Sequence, residues 1–106
     1  MNNWTKNEFL AFLLLYACEA NGSADGDACN WIQNHVGEAA FEEAFAAFQS
    51  NADAEIIQVI IDLKERFFPG EDGKTEIHRH LLDLFRADGQ FTAMEQHVVH
   101  ELEKLF

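Results

Sequence analysis

Over residues 7–63 this sequence has no lysine and no arginine, yet the same stretch carries ten of its nineteen acidic residues. Only seven basic residues occur in the whole chain, so the formal net charge is -12. A field of that sign repels phosphate backbones and anionic headgroups. Direct nucleic-acid binding is therefore not expected, and cations or basic protein surfaces are the partners that the charge favours. Proline occurs once and glycine six times, too few for a disordered or low-complexity chain. The two cysteines, Cys18 and Cys29, form no CxxC pair. Reduced thiols in a cytoplasmic protein are the expectation, and a disulfide across the first helix junction is the alternative.

Long hydrophobic runs are also missing. The longest, residues 9–18, has ten members, well short of the roughly 20 that span a bilayer. Leu15-Tyr16-Ala17-Cys18 is loosely like a lipoprotein cleavage site. However, Glu8 precedes the run, Lys6 is the one positive charge before it, and Glu19 follows the cysteine. The run reads as a buried helix, with no membrane insertion. No Ser-His-Asp or Cys-His arrangement, phosphate-binding glycine loop or HExxH motif occurs. Glu42 and Glu43 read as a charged face rather than an acid/base dyad, and no enzyme is expected.

What is present is a helical pattern in a chain that is 48% hydrophobic and includes ten phenylalanines. Thr5 and Glu8 have capping-box spacing. The helix they open should run to about Ala20 and be buried nearly all round, through Phe9, Leu10, Phe12, Leu13, Leu14 and Leu15. Asp25 can cap a second helix that ends at Val36-Gly37. Phe41, Phe45 and Phe48 recur at helical spacing as core positions of a third. Ser50 or Asn51 should open a fourth.

Residues 55–63 are rich in β-branched side chains and would suit a strand. The rhythm of Ile56, Ile60, Leu63 and Phe67 decides for helix, and Pro69-Gly70 should end it. A loop over residues 71–74 is expected, then a fifth helix capped near Thr75 with Ile77, Leu81, Leu84 and Phe85 inward, stopping at Asp88-Gly89. Thr92 and Glu95 form a second capping box, opening a last helix through Val98, Val99, Leu102 and Leu105. The expected fold is all-α: residues 1–106 as one compact bundle of five to six helices. A shift of 67 positions lays Leu14-Leu15 on Leu81-Leu82, Ala20 on Ala87 and Asn21-Gly22 on Asp88-Gly89. This weak echo is compatible with a pseudo-twofold repeat.

The sharpest local signal is residues 88–95, which match the second half of a helix-loop-helix calcium loop. Asp88 and Glu95 stand as oxygen ligands, Gly89 makes the turn and Phe91 anchors it. Leu84 and Arg86 occupy the leading ligand positions, so a complete EF-hand is excluded. A bound cation needs further oxygens, which Asn21, Ser23, Asp25 and Asp27 after the first helix can supply. The same residues 88–95 are equally satisfied as a helix stop followed by a capping box, with no ion. His97 and His100 share a helix face beside Glu101, but a zinc site needs more ligands, so they read as surface histidines. His78 and His80 diverge on their helix.

The pattern of an apolar helix, Ala87-Asp88-Gly89, an apolar residue, Thr92 and Glu95 resembles the TerB-like superfamily, over residues 81–102. That family is all-helical, often with two helix-Asp-Gly-turn-helix units. It is associated with tellurite resistance and also occurs as a module of a membrane-anchored J-domain co-chaperone. The resemblance implies a divalent cation, calcium or magnesium, at Asp88 and Glu95 and a protein partner in a stress-response setting, and the oxygen-rich residues after the first helix offer Asn21 and Asp25 as helpers. In the first unit Asn21 stands in place of the Asp and Ala28 in place of the Glu. The alternative is an acidic adaptor or inhibitor of a basic protein, without metal.

Overall fold

The computed structural model describes residues 4–20, 26–86 and 93–104, with the backbone alone at residues 20, 26, 93–95 and 98. Six helices make up the described residues: α1 (Lys6–Ala20), α2 (Gly26–Val36), α3 (Glu38–Ser50), α4 (Asp53–Phe67), α5 (Gly70–Arg86) and α6 (Ala93–Glu103). No strand occurs among them, so residues 55–63 lie in helix α4, as their spacing requires. The radius of gyration is 12.5 Å, close to the roughly 13 Å of a compact chain of this length.

Helix α1 begins where its capping box predicts. The Thr5 N–H donates to Glu8 Oε1 at 2.9 Å, and the Glu8 N–H donates to Thr5 Oγ1 at 3.3 Å. Two orphan N–H groups of the first turn are thereby satisfied. Beyond the cap the helix is apolar on all sides, and Phe9 to Leu15, Ala17 and Cys18 are buried. Burial on every face requires neighbours on every face, and α1 packs against each of the other helices. It is the axle of the bundle.

Aromatic contacts set how the others lie on it. Phe12 packs on Trp4 at 5.1 Å and meets Phe48 of α3 edge-on at 6.0 Å. Phe9 stacks on Phe67 at 5.5 Å and touches Phe68 at 5.9 Å, which fixes the end of α4. The α2–α3 corner turns on one residue, Gly37, whose φ of 99° suits glycine. Asn7 Nδ2 donates to the Val36 carbonyl at 3.3 Å, so α1 satisfies a carbonyl left over at the end of α2.

Two boundaries differ from the sequence expectation. Ser50 and Asn51 do not open α4. Their side chains donate back to the carbonyls of Ala46 and Ala47, at 2.8 and 2.6 Å, and close α3. The first turn of α4 is capped instead by Glu55, whose Oε1 accepts the Ala52 N–H at 2.9 Å. Nor is there a loop over residues 71–74. Helix α5 starts at Gly70, and the Pro69 carbonyl accepts the Gly73 N–H at 3.1 Å. Proline needs no N–H partner at a helix start, and Glu71 and Asp72 suit the positive end of the helix dipole. Ile77, Leu81, Leu84 and Phe85 are buried as expected, as are Val99 and Leu102 of α6. Asp88-Gly89, the Asp25 and Thr92 caps and Leu105 lie outside the described residues.

Candidate functional site

The residues expected to bind a cation fall at the two helix junctions. Asn21, Asp25 and Asp88 lie outside the described residues. Glu95 is in the first turn of α6, where the backbone alone is described. Helix α1 stops at Ala20 and α2 starts at Gly26, while α5 stops at Arg86 and α6 starts at Ala93. Among the described residues, no group of three or more His, Cys, Asp or Glu side chains is gathered as a metal cage. Cys18 is a buried thiol and Cys29 a half-buried one.

Most of the described acids of residues 7–63 are displayed outward. Glu19, Asp27, Glu38, Glu42, Glu43, Asp53, Glu55 and Asp62 are all exposed. On α3 this follows from periodicity: Phe41 and Ala44 are buried, and Glu38, Glu42 and Glu43 take the other faces. The one lysine before this stretch, Lys6, is turned elsewhere. Its Nζ pairs with Glu76 of α5 at 2.9 Å and lies 4.8 Å from the centre of the Phe68 ring. Asp53 also acts on a neighbour. The Tyr16 phenol is held above its ordinary pKa, first by burial and then by the negative charge of Asp53.

Two histidine contacts join helices. His78 of α5 bonds through Nδ1 to Glu103 Oε1 of α6. Open grooves lie on either side of that pair. One of about 270 Å³ is lined by Glu71, Lys74, Thr75, His78 and Glu103. The other, of about 360 Å³, adds Leu82, Arg86 and His100 to the same pair. The second contact is between α2 and α5, where His35 Nε2 and His80 Nδ1 lie 2.9 Å apart. The Trp31 indole stacks on His35 with ring centres 4.6 Å apart and planes at 14°. Burial holds the His80 imidazole below its ordinary pKa, and the His35 ring adds to this.

His78 and His80 thus diverge, as two residues on one helix must, but each finds a partner on a different neighbour. The sequence carried no local sign of His35, which stands 45 residues before His80. His97 and His100 are exposed on α6. Glu101 beside them is engaged by Lys104 Nζ at 3.2 Å, and that hydrogen bond, with the lysine charge, lowers its pKa. The arrangement can hold protons, cations and basic groups.

In comparison with known proteins, the chain matches no family model, no curated protein and no solved structure. Among the described residues, no helix is long and apolar enough to cross a membrane.

Proposed function

We propose that the chain is a non-enzymatic helical interaction module whose acidic surface on α2–α4 receives a basic protein partner. One observation carries this reading. The acids of α2, α3 and α4 over residues 27–62 are exposed, and residues 7–63 contain no lysine or arginine to neutralise them. Surface charge predominantly of one sign speeds encounter with the opposite sign and penalises wrong partners. Capture of a basic protein that weakens steeply between low and physiological salt is the expected behaviour. Capture indifferent to salt, or none, opposes it.

The TerB-like resemblance adds a second component to this proposal, a divalent cation of the calcium or magnesium type. Asp88 and Glu95 are its ligands, with Asn21 and Asp25 contributing, and the setting is a stress response. Its support is the spacing of residues 88–95 and the oxygen-rich residues after α1. Hard cations take such oxygen sets. Calcium should raise the melting temperature of the wild type and not of Asp88→Ala. An unchanged melt at millimolar calcium removes the cation and leaves the acidic interaction module.

A further inference from the structure

We propose that His35 and His80 form a second, chemically distinct metal site, one for a borderline divalent transition ion shared between α2 and α5. Two imidazole nitrogens bound to one ion at about 2.0–2.1 Å sit roughly 2.9–3.4 Å apart for angles between square-planar and tetrahedral. His35 Nε2 and His80 Nδ1 are 2.9 Å apart. Their rings meet at 78° with centres 5.0 Å apart. The two nitrogens face one another from different helices, and an ion held by both requires the rings to turn off their shared hydrogen-bond axis.

The surroundings favour a ligand role. Trp31 stacks on His35 and limits its ring orientation, so less freedom is lost on binding. Burial keeps His80 neutral to lower pH, and neutral imidazole is the ligating form. Glu76 and Asp83 lie one turn to either side of His80 on α5 and add negative potential. Arg79 opposes them, and Lys6 of α1 pairs with Glu76. Among the described residues, no third side chain completes the set. The remaining positions belong to water, and nitrogen ligands select zinc, nickel or copper over calcium and magnesium.

The proton balance is simple. In the neutral pair one facing nitrogen donates its hydrogen to the other. Binding requires that ring to carry its hydrogen on the far nitrogen, while two waters leave the ion. No proton is released from the neutral pair, and one is released from each imidazole that was charged, so affinity falls in acid. The ion also ties α2 to α5 and stabilises the fold by linkage.

The test is a zinc titration of the full chain, followed by histidine ring resonances and by thermal melting. The expected result is a shift of the His35 and His80 rings and a higher melting temperature, neither reversed by excess calcium or magnesium. Both effects should be lost in His35→Gln and in His80→Gln. Removing a ligand should weaken binding by more than the roughly 10–100-fold typical of a lost supporting hydrogen bond. Both should persist in His97→Gln, which removes the exposed pair on α6. If His80→Gln does not fold, the exposed His35→Gln decides. No response at millimolar zinc, a response that survives His35→Gln, or one abolished by His97→Gln overturns the proposal.

Discussion

Gly73 lies against the backbone of Phe68. A β-carbon added to it would overlap the Phe68 carbonyl and come within 2.7 Å of Phe68 Cα. The obstruction is main chain and cannot swing aside. In an open helix, Gly→Ala gains about 1 kcal/mol of helix propensity. Here Gly73→Ala should instead destabilise, by about 1–3 kcal/mol or more, as overpacking does. Urea unfolding of the variant checks this, and a gain in stability would show that α5 can move away from Phe68.

The α1 cap offers a smaller and separate effect. Thr5→Ala removes the acceptor for the Glu8 N–H and should cost about 1 kcal/mol. The same measurement on Phe12→Ala should give about 3–5 kcal/mol, because Phe12 is fully buried and packs on both Trp4 and Phe48. Total stabilities of about 5–15 kcal/mol make that a large share. Ile61→Ala, at a position 40% exposed on α4, should change stability by no more than about 0.5 kcal/mol.

Acid should weaken the fold through His80. Its folded pKa lies below the ordinary imidazole value of 6.5, chiefly by burial and then by His35. As pH falls below that value the unfolded chain takes up the proton first, so stability drops until pH passes the folded pKa and then levels off. Above the unfolded value the group has no effect. His35 of α2 and Arg79 of α5 push in this direction, and Glu76 and Asp83 of α5 oppose it. Melting temperatures from pH 7.5 down to 5, as set points about the reference imidazole value, should show a fall that is smaller in His80→Gln. An equal fall in both proteins would assign it to other groups.

The Thr5/Glu8 box, the all-round apolar α1 and the Ile56, Ile60, Leu63 rhythm are local patterns with one geometric solution each. They place α1 and make residues 55–63 helical, though they do not fix where α4 begins. Ser50 and Asn51 are as good at bonding backwards as at capping forwards, and only the path of the chain decides between them. Pro69, Gly70 and Gly73 look like a helix break by propensity. Gly73 lies against the Phe68 backbone because the chain turns tightly from α4 into α5 there, a close approach that residue propensities alone do not contain. The same holds for His35 and His80, which meet across 45 positions of sequence. The candidate site is legible only in part: the exposure of Glu38, Glu42 and Glu43 follows from the buried Phe41 and Ala44, whereas pairing between helices does not.

The central claim is that the acidic surface receives a basic partner, and charge reversal on α3 tests it most directly. Proteins captured at low salt by the wild type would be compared with those captured by Glu42→Lys/Glu43→Lys, whose exposed positions should leave the fold intact. The account predicts that a basic partner is retained by the wild type, released as salt rises, and lost in the variant with an unchanged melting temperature. A partner that binds the folded variant as tightly as the wild type, with the same dependence on salt, would contradict it.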